Sequence, residues 1–273
     1  MNRYIPSTIN HLILLIGLTV MIVPVWVIFA SSTHTSLFIN TNGLQFSLGD
    51  NFIENYSRVL FKKAGFFNEI TALKMFFNSF VMATGIATLS VVTSLMAAYG
   101  LVYFRIKYAS FIFWLIFVTL LVPLELRVMP TYVVMSKLNL LNSFAGLIIP
   151  ISASAIATFF FRQFYKSIPE ELLEAAKLDG TNSWKFFIDF LVPLSKTMIA
   201  AVFIFMFVFG YNQYLWPLIM TTTEEYWTVV MGLKTMYGSI SHRFAFVIMS
   251  MIPPVVIIIF LQKWFIQGIF QNK

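Results

Sequence analysis

"EAAKLDGTNSWKFFIDFLVP" occupies residues 174–193 and is unusually polar for the chain that contains it. The chain has 29 charged side chains, 18 basic and 11 acidic. Ten of the 29 lie in the segment from Arg162 to Lys196. The sequence as a whole is apolar: 59% of its residues are hydrophobic, 11% are charged, and the mean hydropathy is +0.83. This composition is typical of a polytopic membrane protein and lies outside the range of soluble domains. We refer to residues 162–196 as the charged stretch and expect it at a membrane surface.

Six apolar segments approach or reach the roughly 20 residues that a helix needs to cross a bilayer core. The alternation of apolar and polar residues that is typical of barrel strands is absent, so all six are predicted as helices. The predicted fold class is therefore an all-α membrane protein, with one transmembrane domain over residues 1–273. The predicted spans cover residues 12–30, 76–104, 109–129, 145–161, 198–220 and 244–265.

The first segment has two interpretations. Ala30 and Ser31 follow its apolar run, as they would in a cleaved signal peptide. The segment is longer than a usual signal core and contains Pro24 and Trp26, so a retained helix is favoured.

The distribution of basic residues predicts that both termini lie in the cytoplasm. With the N-terminus inside, ten of the 18 Lys and Arg residues fall on the cytoplasmic side. Four of the others lie in the long first loop, where basic residues have less influence on orientation. The charged stretch between the fourth and fifth spans is then cytoplasmic.

The first half of the charged stretch has the pattern of a capped helix. Ser167 and Glu170 have the spacing of a capping box, and Pro169 falls in the first turn, where its missing N–H costs nothing. Gly180 stands where a left-handed residue would end the helix. The helix has a polar arc and an apolar arc. The polar arc contains Glu170, Glu171, Glu174 and Lys177, and the apolar arc contains Leu172, Leu173, Ala175 and Ala176.

The second half of the stretch predicts another short helix, capped by Thr181, Asn182 or Ser183 and stopped by Pro193. Each helix has only about ten residues, which is too short to be stable alone in water. Two interpretations follow. The stretch is either a solvated connector or a docking surface for a soluble partner, and its length and aromatic content favour the second as much as its charge favours the first.

Several classes of function lack their usual residues. The chain has no cysteine, and its three histidines, His11, His34 and His242, are scattered. No phosphate-binding loop, dinucleotide fingerprint or nucleophile elbow occurs. We therefore expect no catalytic residue, no metal and no cofactor in this chain. Its net charge of +7 does not imply a nucleic-acid partner, because basic residues also flank membrane spans and face anionic lipid, so we expect contact with the lipid bilayer and none with nucleic acid.

The spacing of the charged stretch resembles the EAA loop of ABC importer permeases, specifically the carbohydrate (maltose-type) group. That family has the pattern E-A-A-x3-G-x9-I-x-L-P. Here Glu174-Ala175-Ala176, Gly180 and Pro193 match it, while Phe190 and Val192 replace the family's Ile and Leu. Six spans, with a cytoplasmic loop at residues 163–193 between helices 4 and 5, also fit the family.

The resemblance implies a coupling helix that seats in a groove of a separate, homodimeric ATP-binding subunit. Glu174 would make polar contacts there, Ala175 and Ala176 would allow close approach, and Gly180 would permit the turn. The resemblance further implies that the partner ATPase binds ATP and Mg. The other implied partners are a second permease subunit, giving a heterodimer, and an extracytoplasmic solute-binding protein, at the bacterial cytoplasmic (inner) membrane. The implied docking residues are Glu170, Glu174, Ala175, Ala176, Asp179, Gly180 and Pro193.

Two further runs bear on the substrate. "LVPLELRVMPTY" at residues 121–132 resembles the branch of the group that imports sn-glycerol-3-phosphate, whereas "YNQYLWPL" at residues 211–218 resembles the carbohydrate-type group in general. The expected substrate is therefore sn-glycerol-3-phosphate or a glycerophosphodiester. A sugar or oligosaccharide of the maltose or multiple-sugar type is the alternative.

Four polar residues are candidates for the translocation path. Glu125 and Arg127 are two positions apart and would not face each other on a helix, although a backbone kinked by prolines would let both line a cavity. Interfacial anchoring is the alternative for this pair. Arg127 also has the guanidinium that suits a phosphate. Asn212 and Gln213 fall within the fifth predicted span, as either an interhelical hydrogen bond or a polar lining of the path.

Two other classes of membrane protein fit less well. An ion-coupled secondary transporter needs paired ionisable residues at mid-membrane, and no acidic residue lies at the centre of any predicted span. A membrane enzyme needs a constellation of polar catalytic groups, and only Glu125 and Arg127 resemble one. An ATP-driven importer subunit remains the leading prediction.

Overall fold

The computed structural model describes residues 7–62, 70–104, 106–178 and 180–270. Within these ranges the secondary structure is helical and no strand occurs, which confirms the predicted fold class. Short 3₁₀ turns lie at Thr119–Leu121 and Glu224–Tyr226, and a π-helical segment at Phe187–Leu191. The α-helices are α1 (Ser7–Ser32), α2 (Ser36–Asn42), α3 (Phe52–Phe61), α4 (Ala72–Tyr103), α5 (Ala109–Val118), α6 (Leu124–Lys137), α7 (Phe144–Ser152), α8 (Ala155–Lys166), α9 (Glu170–Leu178), α10 (Ser183–Phe186), α11 (Val192–Leu194), α12 (Lys196–Tyr211), α13 (Leu215–Met220), α14 (Val229–Thr235) and α15 (Ile240–Phe270).

Three segments are single helices long and apolar enough to cross a membrane: Thr8–Ser32, Ala72–Tyr103 and Ile240–Lys263. They correspond to the first, second and sixth predicted spans. Much of their surface is apolar and exposed, as for Met21 in α1 and Phe260 in α15, which are 77% and 75% exposed. Exposing this much apolar surface to water is unfavourable, whereas contact with lipid is favourable, so these helices are suited to a membrane.

The third and fourth predicted spans fall on bent pairs of helices, and the fifth begins just after the bend of another pair. The bends are 104° between Ala109–Leu121 and Glu125–Lys137, 46° between Phe144–Ser152 and Ala155–Lys166, and 74° between Ser183–Leu194 and Lys196–Tyr211. If each pair is counted as one span, the described residues contain up to six spans, the number that the sequence predicts. The last pair would then begin at Ser183 within the charged stretch, whereas the predicted fifth span begins at residue 198.

Proline explains two of the helix ends. Pro123 forces the residue before it, Val122, into an extended conformation (ψ 113°), so the helix cannot continue past it. The fifth span was predicted as one helix to residue 220, but α12 ends at Tyr211. In a continuous helix the ring of Pro217 would clash with the carbonyl of Gln213, so α13 begins separately at Leu215.

The chain divides into two compact units, one of residues 1–75 with 232–252 and the other of residues 76–231 with 253–273. In the first unit, buried polar groups hold the segment after α1. The Asn55 amide donates to the carbonyls of Ser32 and His34 at 2.8 and 2.9 Å, and the hydroxyls of Ser32 and Tyr56 are 2.8 Å apart. These bonds satisfy polar atoms that burial has removed from water.

In the second unit, small residues allow the helices to approach closely. A side chain at Gly85 would run into Ile148, and one at Gly210 would come within 3.2 Å of Ala83 and 3.1 Å of Ile86. Close packing through small residues is the main source of helix association in membranes. These contacts bring α4 against α7 and α12.

Gly146 offers a test of the close packing between the start of α7 and the turn that precedes it. A Cβ at Gly146 would collide with the carbonyl oxygen of Leu140, a backbone atom that cannot move aside. Gly146→Ala should therefore destabilise the purified protein by about 1–3 kcal/mol and lower its melting temperature in detergent. The matched control is Gly100→Ala in α4, where a Cβ meets nothing within 4 Å. Equal melting temperatures for the two variants would contradict this packing.

Candidate functional site

The charged stretch begins where α8 ends. The hydroxyl of Ser167 donates to the carbonyl of Phe164 at 2.7 Å, and its backbone is helical (φ −85°, ψ −10°). Ser167 therefore closes α8 and lacks the extended conformation of an N-cap residue. The predicted capping box is wrong, and α9 begins at Glu170, directly after Pro169.

Gly180 ends the first short helix as predicted. It has a φ of +70°, and the N–H of Thr181 donates to the carbonyl of Ala176 at 3.0 Å. This is the long-range bond of a Schellman turn, which satisfies a carbonyl that the helix end would leave without a partner. The turn therefore depends on a residue that accepts a left-handed conformation. Asp179, a predicted docking residue in this turn, lies outside the described residues.

Asn182 is the cap of the second short helix, one of the three residues predicted for this role. Its side-chain oxygen accepts the N–H of Lys185 at 2.7 Å. The prediction that Pro193 stops this helix is wrong, because the helical path passes through the π-helical segment and Pro193 and ends at Leu194. Pro193 stands in the first turn of α11, where its missing N–H is tolerated. The chain turns at Ser195, whose hydroxyl donates to the carbonyl of Leu191 at 2.6 Å.

The two short helices expose one surface and bury another. We define the coupling surface as the exposed residues Glu170, Glu174, Ala175, Leu178 and Trp184. Two of them are large apolar side chains, with Leu178 88% and Trp184 61% exposed. The surface thus combines two carboxylates with exposed apolar area.

The adjacent alanines of the motif face in different directions. Ala175 is exposed, whereas Ala176 is 3% exposed and lines a small internal cavity together with Leu173 and Tyr103. The predicted apolar arc of α9 is therefore wrong for Ala175. Only one of the two alanines is available for close approach to another molecule.

A separate cavity of about 320 Å³ lies where α6 and the bend between α7 and α8 meet α12. Arg127 lines it, together with the hydroxyl-bearing Thr131 and Ser154 and the aromatic Phe209 and Trp216. Other lining residues are Thr119, Leu120, Val122, Pro123, Pro150, Ile151, Ala153, Ala155, Ile156, Phe205 and Met206. A guanidinium beside hydroxyls in an otherwise apolar cavity is suited to a small anion that also carries apolar groups.

Glu125 does not share this cavity with Arg127. Both residues lie on α6, where positions two apart are about 200° apart around the axis. The structure therefore separates the predicted pair and leaves Arg127 as the residue that reaches the cavity.

Asn212 and Gln213 lie just past the end of α12 rather than within a helix. Their side-chain amides donate to carbonyls of their own helix, to Val208 at 2.9 Å and to Phe209 at 3.2 Å. The predicted interhelical hydrogen bond is therefore wrong. Both residues instead border an open apolar groove along α12, and neither lines the cavity that contains Arg127.

Sequence reasoning missed Ser154 and Trp216 as parts of the cavity. Ser154 caps α8 by accepting the N–H of Ala157 at 3.2 Å, and the indole of Trp216 donates to the carbonyl of Leu147 at 3.1 Å. Ser154 stands in a run of small and polar residues, "SAS", inside an apolar segment, and this interruption was the available signal of a helix break.

Residues 90–271 match the family described as binding-protein-dependent transport system inner membrane component. The chain is 38% identical to the sn-glycerol-3-phosphate transport system permease protein UgpE of Brucella melitensis, over 100% of this chain and 99% of that protein. The proteins of the same name from Rhizobium meliloti and Yersinia pestis are also 38% identical to this chain. The match covers 100% of this chain and 99% of the Rhizobium protein, and 96% of this chain and 95% of the Yersinia protein.

A solved structure has the same fold. It is a bacterial ABC transporter involved in the import of the acidic polysaccharide alginate, and one of its chains superposes with a TM-score of 0.75. The superposition covers 97% of this chain and 100% of the other, at 24% sequence identity. At that identity the likeness concerns the fold alone.

Gly180 provides a test of the turn between the two short helices. A β-branched residue at a φ of +70° is strained by about 1–2 kcal/mol, whereas asparagine tolerates this conformation. Gly180→Val should therefore accelerate hydrogen exchange at the amide of Thr181 by roughly ten-fold. Gly180→Asn is the matched control and should leave the exchange close to that of the unaltered protein. Equal acceleration in both variants would show that φ is not the constraint.

Proposed function

Because the chain belongs to the family of binding-protein-dependent transport system inner membrane components, we propose that a separate ATP-binding subunit docks on its coupling surface. The chain is a multi-pass membrane protein and a permease subunit of an ABC importer. Such an importer also contains a second permease, an ATPase and a solute-binding protein. In our proposal the permeases form a heterodimer, and a homodimeric ATPase binds ATP and Mg.

The observation that carries the docking proposal is the exposure of the coupling surface. Glu170 and Glu174 form no ion pair with another described residue, and Leu178 and Trp184 are exposed apolar side chains. Exposed aromatic anchors surrounded by polar groups are typical of protein interfaces. A partner groove that covers this surface would also stabilise two helices that are too short to persist alone.

The same proposal fixes the orientation of the chain. An ATPase reaches ATP only in the cytoplasm, so the coupling surface lies on that side and both termini lie there as well. The excess of basic residues on the same side of the predicted spans supports this orientation. The membrane is the bacterial cytoplasmic (inner) membrane.

The proposed substrate is sn-glycerol-3-phosphate or a glycerophosphodiester. Relatives that are 38% identical over their full length carry the name of an sn-glycerol-3-phosphate transport system. The chemistry of the cavity supports this choice, because Arg127 supplies a positive charge for a phosphate while Thr131 and Ser154 supply hydroxyls. Asn212 and Gln213, which border a different groove just past the end of α12, would line another part of the translocation path or contact the second permease.

Docking is tested by charge reversal on the coupling surface. Glu174→Lys should weaken association with the ATPase by roughly 30-fold, since breaking one buried charged contact at an interface costs at least about 2 kcal/mol. Import should be lost while the chain still inserts in the membrane. The measurement is co-purification with the ATPase together with import in reconstituted vesicles.

The matched control is Glu225→Lys, which reverses an exposed carboxylate outside the charged stretch. It should leave association unchanged. Gly180→Pro should also abolish import, because it removes the left-handed turn that presents the surface. Normal import by both Glu174→Lys and Gly180→Pro would refute docking at this site.

The substrate path is tested at Arg127. Arg127→Gln should lower the import of sn-glycerol-3-phosphate by roughly ten-fold or more, because a hydrogen bond to a charged group is worth about 1.5–3 kcal/mol. ATPase association should be unaffected. Glu125→Gln is the matched control on the same helix, since Glu125 does not line the cavity. Unchanged import by Arg127→Gln would remove the cavity from the path, and a binding protein that retains only sugars would overturn the proposed substrate.

A further inference from the structure

Two tyrosines join the end of α4 to the charged stretch. The rings of Tyr99 and Phe187 have centroids 5.0 Å apart, and those of Tyr103 and Phe186 are 5.5 Å apart. Both phenylalanines are buried, at 5% and 2% exposure. Tyr99 and Tyr103 are one turn apart and therefore lie on the same face of α4. We refer to Tyr99 and Tyr103 as the tyrosine bridge.

The hydroxyls of the two tyrosines also form hydrogen bonds with backbone carbonyls. The hydroxyl of Tyr99 donates to the carbonyl of Ser183 at 2.7 Å, at the start of the second short helix. The same carbonyl accepts the N–H of Phe187, where α10 widens into the π-helical segment. The hydroxyl of Tyr103 donates to the carbonyl of Tyr165 in α8 at 3.4 Å. The second short helix is thus joined to α4 by one hydrogen bond to its backbone as well as by packing, and α8 is joined to α4 by the other bond.

The far end of α4 is bonded to the loop before α14. The amide of Asn78 donates to the carbonyls of Glu225 and Trp227 at 2.7 and 2.9 Å. The hydroxyl of Ser79 accepts the N–H of Val229 at 2.7 Å. Asn78 and Ser79 are fully buried, so these bonds are shielded from competition by water.

Between its two bonded ends α4 is unbroken. Residues 78 to 99 of one continuous helix span about 32 Å, which is the thickness of a bilayer core. The covalent route out of the charged stretch is different, since it passes through the π-helical segment and then a 74° bend before α12. The coupling surface is therefore connected to the rest of its unit by a continuous helix, α4, and by a chain path that is interrupted and bent before α12.

We propose that α4 transmits the movement of the coupling surface across the membrane, with Tyr99 and Tyr103 as positioning residues. This inference rests on the proposed docking of the ATPase. When the ATPase moves the two short helices, the tyrosine bridge moves α4 with them. The bonds of Asn78 and Ser79 then move the loop at Glu224–Tyr226 on the opposite side of the membrane.

The experiment uses the complete reconstituted importer with Tyr99→Phe, Tyr103→Phe and the double variant. Each keeps the aromatic ring and removes only the hydroxyl. Tyr108→Phe is the matched control, because Tyr108 is 61% exposed and lies outside the bridge. The ATP hydrolysed per solute imported should rise by roughly five-fold in Tyr99→Phe and in the double variant, the factor that corresponds to loss of the one hydrogen bond that joins α4 to the second short helix. The control should show the ratio of the unaltered importer.

A second measurement separates transmission from a structural role. The chain contains no cysteine, so Glu225→Cys introduces a single labelling site at an exposed position of the outer loop. In the unaltered background, ATP should change the mobility of a spin label at this site. In the double variant the ATP-dependent change should be lost, while the melting temperature and the amount of co-purified ATPase stay the same.

The outcomes are distinguishable from failure of the proposed function. If the unaltered chain does not bind the ATPase, the docking proposal is wrong, and the inference that rests on it is wrong too. If the unaltered importer couples hydrolysis to import and the double variant does so equally well, only the transmission by α4 is refuted. An unchanged ATP response of the label in the double variant would refute it as well.

Discussion

The demand of backbone polar groups for hydrogen-bond partners governs this structure. A bilayer core offers no water to an N–H or a carbonyl, so every lipid-exposed segment has to be helical. The exposed apolar length of α1 and the unbroken course of α4 both follow from this constraint. At two of the bends, a serine hydroxyl supplies a partner for a backbone group. Ser154 accepts the N–H of Ala157 at one bend, and Ser195 donates to the carbonyl of Leu191 at another.

The same constraint explains what the sequence predicts well and what it does not. Apolar length alone predicts six spans, because the bilayer sets the number of residues that each requires. The bends are harder to predict, because the bonds that satisfy a broken helix depend on the neighbouring packed segments. Pro123 marks one bend openly. Ser152 and Ser154 give only a faint polar interruption, and Ser195 gives no signal that separates it from an ordinary serine within a helix.

Within the charged stretch, a structural feature is predicted correctly from the sequence when the residue itself determines it, and wrongly when it depends on neighbouring partners. Gly180 was predicted correctly because a left-handed helix end requires little more than the residue itself. Ser167 was predicted wrongly because its hydroxyl had two possible partners, and the preceding helix offered the nearer one. Likewise, Glu125 and Arg127 are close in sequence, but helical geometry sends them to different surroundings, and only Arg127 reaches the cavity. The docking roles of the motif residues remain predictions.

The geometry of α9 also gives a physical reason for two small residues in succession. Neighbours on a helix point about 100° apart, so they cannot serve the same surface. Ala175 faces outward, where a small side chain leaves room for a partner, whereas Ala176 faces inward towards Tyr103 and the end of α4. A bulky residue at the first position would obstruct docking, and one at the second would push the short helix away from the tyrosine bridge. In the proposed mechanism, the two small residues therefore keep both contacts close, the one between α9 and the ATPase and the one between α9 and the end of α4.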